Sequence, residues 1–292
     1  MTKLRKRMLE ELQLRNYSPE TQRSYIDAVA RFARHFGKSP DKLGPEEVRE
    51  YQLYLLKERQ VAWPTLGLNL CALKFCYAKA LGRPWVVEKA PNPKRPETLP
   101  TVLSREEVVR LLDTTHNLKH RALLATLYST GMRAAEAQRL KVSDIDGKRM
   151  LIFIRHGKGG RHRYVMFSKQ LRDILLAYWH WRRPLDWLFP SAMRPADPLD
   201  LSGIRLICRQ AGRRAGIGQR VHPHLLRHSC ATHLLEDGVN LRRIQVLLGH
   251  ASIKTTAKYL LVSQQAVQET VSPLDRLTLN SPHLPDRDGR RR

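Results

Sequence analysis

The sequence predicts a mainly α-helical protein in two parts: an N-terminal helical bundle, then a larger, mostly helical domain with one small antiparallel β-sheet. Three observations lead there. Apolar residues recur at helical spacing through roughly the first 95 residues, with no strand alternation among them. Residues 88–100 hold four prolines and few apolar side chains, the composition of an extended, solvated, basic linker. One strand–turn–strand pattern stands in the second half, among further helices. The 292 residues are comfortable for two domains. The predicted boundaries are residues 1–90, a linker over 91–100, and residues 101–292.

Each element has its own signal. Leu4, Met8 and Leu12 suggest a first helix before Tyr17. Ser18-Pro19 reads as an N-cap with proline at the first helical position, and Tyr25, Val29, Phe32 and Phe36 then form one apolar stripe. Gly44-Pro45-Glu46-Glu47 opens another helix, its acids favoured by the dipole, with Val48, Tyr51, Leu55 and Leu56 facing inward. Residues 64–81 read as one helix with Gly82 as its C-cap. Past the linker, Ser104-Arg105-Glu106-Glu107 is a capping box ahead of Val108, Val109, Leu111 and Leu112. A helix over 118–130 stops at Gly131. Residues 150–154 form a strand, Gly157-Lys158-Gly159-Gly160 a turn, and 162–167 the returning strand. Helices over 168–181, 202–215, 223–237, 240–248 and 252–260 follow.

Composition narrows the partner. Lys plus Arg is 52 against 27 for Asp plus Glu, a formal net charge of +25, which calls for a polyanion. The basic residues run along the whole chain, whereas a lipid-binding segment concentrates them in one amphipathic or juxtamembrane stretch; nucleic acid is therefore expected. No run approaches the roughly 20 apolar residues of a membrane span, and the basic start Met1-Thr2-Lys3-Leu4-Arg5-Lys6 leads into no apolar signal core, so a cytoplasmic protein is expected. Cys71, Cys76, Cys208 and Cys230 match no zinc spacing and read as buried, reduced thiols.

Six positions are candidates for chemistry, and each has a plainer reading beside it. Arg133 follows Gly131 at a junction of two helices, where Glu136 is placed to hold it; a surface ion pair is the alternative. Lys158 sits between turn glycines that let a backbone approach closely, or is merely solvated. His224 and Arg227 form H-x-x-R inside a helix opened by Pro223, on one face and near a helix N-terminus that favours anions. His180 and Arg183 repeat that pattern, but end an aromatic-rich helix with no start signal before it. His250 follows the helix-ending Gly249. Tyr259 is the one tyrosine of nine after the H-x-x-R; its default reading is a core tyrosine with a bonded hydroxyl.

Taken together, Thr130-Gly131-Met132-Arg133, Gly157-Lys158-Gly159, His224-Leu225-Leu226-Arg227-His228, Leu247-Leu248-Gly249-His250 and Tyr259 resemble the tyrosine recombinase (phage integrase) family, in order and in spacing. The first half, including Asn16-Tyr17-Ser18-Pro19-Glu20-Thr21, resembles the family's SAM-like core-binding domain. Within the family the chain is similar to bacterial Xer-like and mobile-element enzymes. Two departures are Lys258-Tyr259-Leu260-Leu261 around the tyrosine and the arginine-rich end Arg290-Arg291-Arg292.

The resemblance implies a site-specific DNA recombinase that cuts and rejoins strands through a 3′-phosphotyrosyl bond to Tyr259, for integration, excision or resolution. Arg133 and Arg227 would hold the non-bridging phosphate oxygens. Lys158 would protonate the leaving 5′-oxygen, His224 would be the tyrosine's acid–base partner, and His250 would bond a phosphate oxygen. The ester conserves bond energy, so neither metal nor nucleotide cofactor is implied. Double-stranded DNA is the implied partner, with a homotetramer on two sites, and the segment 263–271 is a candidate contact to a neighbouring protomer. An inactive DNA-binding regulator and a type IB-like topoisomerase are the rivals. A metal site on His222, His224, His228 and His233 is a third, without an H-E-x-x-H. Arg205, Arg209, Arg213 and Arg214 line one helix as candidate DNA contacts. Limited proteolysis without DNA is expected to cut first within 91–100; resistance there, with cleavage elsewhere, counts against the linker.

Overall fold

The structure, a computed structural model, describes residues 2–88, 90–91, 101–155, 162–250, 252–257 and 259, with the side chain of Lys254 left aside. Lys158 and the hairpin turn, most of the expected linker, and the segment 263–271 lie outside the described residues. The chain divides into two compact units, Met1–Thr98 and Leu99–Arg292. As predicted, the described residues are mostly helical, with one three-stranded antiparallel sheet.

The first unit is helical throughout. Helix α1 (Lys3–Leu14) is capped by Thr2. The Ser18 hydroxyl accepts from the Thr21 N–H at 3.3 Å to open α2 (Pro19–Phe36). Of the predicted stripe on α2, Val29 and Phe32 are buried, and Tyr25 and Phe36 pack partly buried against the same core. In α3 (Pro45–Lys57) the Glu47 carboxylate accepts from the Gly44 N–H at 2.8 Å. The predicted helix 64–81 is α4 (Trp63–Phe75) followed by one π turn, Cys76–Ala80, where the Leu81 N–H reaches the Cys76 carbonyl at 2.9 Å. A short α5 (Trp85–Glu88) ends the unit's described helices. Cys71 is exposed, against expectation, while Cys76, Cys208 and Cys230 are buried. The inward stripe of α4 is Leu66, Asn69, Leu70 and Leu73, and position 71 falls off it at 100° per residue.

The second unit opens with the predicted capping box: the Glu107 carboxylate accepts from the Ser104 N–H at 2.9 Å and the Ser104 hydroxyl from the Glu107 N–H at 3.2 Å. Helix α6 (Arg105–Asp113) follows. Helix α7 (Leu118–Thr130) buries Ala122 to Leu127 against α9 (Lys169–Arg182) and α11 (Pro223–Glu236), and a five-residue α8 (Ala134–Gln138) follows after three intervening residues. The sheet has the order β1 (Ile145–Asp146), β2 (Leu151–Ile154), β3 (Arg163–Met166). β1 is too short for sequence alternation to reveal. Ile152 pairs with Val165 and Ile154 with Arg163; Ile152, Ile154 and Val165 enter the core, and Phe153 and Tyr164 pair on the other face. Helices α10 (Leu201–Arg214), α12 (Leu241–Leu248) and α13 (Ile253–Ala257) complete the order. Among the described residues no helix is long and apolar enough to cross a membrane.

Gly131 turns the chain from α7 towards α8 with φ +59°, a left-handed conformation that costs other residues. A Cβ there would lie 2.6 Å from Leu248 Cδ2 and 3.3 Å from Cys230 Sγ, so strain and overpacking coincide. Gly131→Ala is expected to cost about 2–3 kcal/mol, read as a lower urea midpoint with an unchanged slope.

Candidate active site

The site grows from the C-terminal ends of α7 and α12. Three arginines converge on the last carbonyls of α12 and its cap. Arg163 Nε donates to the Leu247 carbonyl at 2.8 Å, Arg227 Nη2 to Leu248 at 2.7 Å, and Arg133 Nη2 to Gly249 at 3.3 Å. Arg227 Nη1 also donates to the Gly131 carbonyl at 2.6 Å, tying the end of α7 to that of α12. Cations at helix C-termini are favoured by the dipole and by the unpaired carbonyls. Arg227 is 3% exposed, and burial first, then the like charge of Arg133, lowers its pKa to about 10; it remains a cation at neutral pH.

Glu136 organises two of the three. Its Oε2 accepts from the Arg133 backbone N–H at 2.8 Å and its Oε1 from Arg133 Nη1 at 3.0 Å. Arg163 Nη1 and Nη2 approach the two oxygens at 2.9 and 2.7 Å. The sequence predicted the Arg133–Glu136 pair, but the carboxylate is buried, not superficial. Burial pushes its pKa up, and the Arg163 hydrogen bonds and charge, with the Arg133 N–H, outweigh that and hold it at about 2.

Tyr259 stands just beyond α13, its ring 2% exposed. Its hydroxyl is 3.0 Å from His228 Nδ1. Burial raises its pKa, and the nearby charges of Arg227 and Arg133 pull the other way. The His250 ring is 6.3 Å from the Tyr259 ring at 17° between planes; its Nδ1 is 2.8 Å from the Thr256 hydroxyl. Burial, then Arg227 and Arg133, push the His250 pKa down to about 4, so the imidazole is neutral at pH 7. His224 is one turn before His228 on α11, the rings 6.4 Å apart. Removal from water, then Arg227, His222 and Arg133, lower its pKa as well.

Five of the six sequence candidates thus gather in one unit: Arg133, His224, Arg227, His250 and Tyr259; Lys158 lies outside the described residues. The assembly is a cationic cluster with fixed donors, a protonated phenol and three imidazoles, a set of groups suited to hold an oxyanion and deliver a nucleophile to it. His222 caps α11, its Nδ1 accepting from the Leu225 N–H at 3.1 Å, and His233 Nδ1 is 2.8 Å from the Tyr128 hydroxyl. Among the described residues no three His, Cys, Asp or Glu stand as a metal-holding group.

The model of the phage integrase family matches residues 101–266, and that of the phage integrase N-terminal SAM-like domain matches residues 4–86. The chain belongs to the phage integrase family. It is 44% identical to a Sinorhizobium fredii protein described as an integrase/recombinase, over 98% of this chain and 92% of that one. It is 34% identical to the tyrosine recombinase XerA of Pyrococcus horikoshii, over 89% of each. The fold is similar to that of the XerH site-specific recombinase bound to palindromic difH substrate in a post-cleavage complex, with a TM-score of 0.74 at 23% identity, covering 87% of this chain and 80% of that one. As a tyrosine recombinase, the protein is an enzyme of DNA recombination.

Two side chains of this recombinase take places that the sequence did not give them. Arg163 had a usable signal: it shares the inward face of β3 with Val165, where a charge needs a partner. His228 was legible only as part of the family motif and as a rival metal ligand, and only the placement of Tyr259 sets it against the phenol.

Removing the carboxylate is expected to hurt. Glu136→Gln leaves two guanidiniums short of their counter-charge, a loss of about 3–5 kcal/mol for a buried pair. Because the folded pKa of Glu136 is depressed, its contribution is present above pH 4.5, the unfolded value, and is lost as pH falls from there towards 2. Urea midpoints of the wild type are expected to fall more steeply across that window than those of Glu136→Gln. Equal slopes would remove the assigned role.

Proposed function

We propose that this protein cuts and rejoins double-stranded DNA through a covalent 3′-phosphotyrosyl intermediate on Tyr259. The observation that carries the reading is the buried Tyr259 hydroxyl, set among the charges of Arg227 and Arg133. Attack of the phenol on the scissile phosphate gathers charge on the non-bridging oxygens. Arg133 and Arg227 bind them, their guanidiniums already oriented by Glu136 and by helix carbonyls. Comparable arginines in phosphoryl transfer are worth about 10³–10⁵ in rate. His250 bonds a phosphate oxygen with the ring nitrogen not facing Thr256, and His224, beside Arg227 and Arg133, bonds another. Lys158, which the sequence puts between the glycines of the expected turn, is assigned the proton for the leaving 5′-oxygen. The new ester keeps the energy of the broken bond, so a 5′-hydroxyl from another duplex restores the phosphodiester without ATP. The net charge of +25 suits a duplex partner. Exchange between two duplexes calls for four protomers on two sites, and the segment 263–271 is the proposed contact to a neighbour.

A nicked suicide substrate tests the reading, because cleavage there traps the protein on DNA. The wild type is expected to form the adduct, with or without EDTA. Tyr259→Phe is expected to bind DNA and form none, and Arg227→Ala to lose at least about 10²-fold in rate. An adduct with Tyr259→Phe would end the assignment.

A further inference from the structure

We propose that His228 is the base that takes the phenolic proton from Tyr259. The inference rests on the phosphotyrosyl reading above and adds a catalytic residue to it. A phenol with an ordinary pKa near 10 is about 0.1% ionised at neutral pH, and here burial moves it further from ionisation. The pocket's arginines stabilise charge but are themselves protonated, so a neutral acceptor has to touch the hydroxyl.

Two imidazoles, His228 and His250, stand against the tyrosine ring, and a third, His224, stands beside His228. His250 has Nδ1 on the Thr256 hydroxyl and lies nearly parallel to the phenol ring, 6.3 Å away between centroids, so it is placed face to face. His224 is displaced one turn along α11, 6.4 Å from the His228 ring, on the side where Arg227, His222, Arg133 and Arg205 crowd it. That neighbourhood suits a phosphate oxygen better than a phenolic proton. His228 Nδ1 is 3.0 Å from the Tyr259 hydroxyl, inside the range in which a general base works. It is also held by the fold. Arg227, its neighbour on α11, is pinned by the Gly131 and Leu248 carbonyls. Ser229, on its other side, accepts from the Leu103 N–H at 2.8 Å and donates to the Leu225 carbonyl at 2.9 Å. The helix therefore fixes the position from which the imidazole reaches out.

The proton account closes. With its own hydrogen on Nε2, His228 accepts at Nδ1 as the Tyr259 oxygen forms its bond to phosphorus. The P–O5′ bond breaks, and the leaving oxygen takes a proton from Lys158. In religation the 5′-hydroxyl returns that proton to Lys158, attacks phosphorus, and Tyr259 leaves with the proton held by His228. The imidazolium formed midway stays beside the Tyr259 oxygen, from which religation recovers the proton.

The test is single-turnover cleavage of the nicked substrate by the full-length chain, from about pH 5 to 8, where an imidazole titrates. The wild-type rate is expected to fall towards acid. His228→Ala and His228→Gln are expected to bind DNA normally and cleave roughly 10²–10⁴-fold more slowly, without that acid limb, and imidazole in the buffer to recover part of the rate of His228→Ala. A substrate with sulfur at the bridging 5′ position, whose leaving thiolate needs no proton, is expected to leave the defect in place. A folded variant with the wild-type rate, full rescue by the sulfur substrate, or a flat wild-type profile overturns the proposal. The flat profile needs no variant and so decides even if both substitutions unfold the chain. Failure of the wild type to form any adduct would instead strike the phosphotyrosyl reading itself.

Discussion

Three guanidiniums packed behind one pocket repel one another, and a single buried carboxylate makes their arrangement tenable. Glu136 accepts from the backbone and side chain of Arg133 and from both terminal nitrogens of Arg163. It cancels one of three charges and fixes the planes of two forks, so the pocket stays cationic while its donors are immobile. Donors set in place before an anion arrives need no reorganisation when charge develops on it, which is the physical meaning of preorganisation. Glu136 sits at the third helical position of α8 and caps that helix, so its placement comes from local helix-start chemistry and not from the pocket alone.

The same arginines close the ends of two helices. The carbonyls of Leu247, Leu248 and Gly249 each receive a different guanidinium, and that of Gly131 receives the second arm of Arg227. Helix ends leave such carbonyls unsatisfied, and left-handed glycines at 131 and 249 (φ +59° and +63°) turn the chain there. At Gly249 a Cβ would also meet Arg163 at 3.0 Å. The placement of the guanidiniums and the termination of the helices are therefore one set of bonds. A change at either glycine reaches the pocket through the backbone, and a change at an arginine reaches stability through the helix ends.

Charge also sorts the imidazoles. Burial and the arginines hold the pKa values of His224 and His250 down, so at neutral pH they add hydrogen-bonding groups and not further cations. The phenol is kept protonated by the same burial. In the proposed reaction, activation then comes from contact with a base rather than from a standing phenolate.

Much of this was readable from the chain alone. Apolar spacing, the Ser18 and Ser104 caps, and the glycines at 82, 131 and 249 set the helices, because such signals are local in the backbone. The order and spacing of Arg133, His224, Arg227, His250 and Tyr259 pointed to the family. The π turn after Phe75, the exposure of Cys71 and the two-residue β1 were not legible, since each depends on what packs against the segment. Only the tertiary structure decided that Arg163 belongs beside Glu136, 27 residues away, and that the hydroxyl of Tyr259 faces His228, 31 residues away. Sequence fixes which groups a helix can present; which of them meet depends on where other elements of the fold bring their ends.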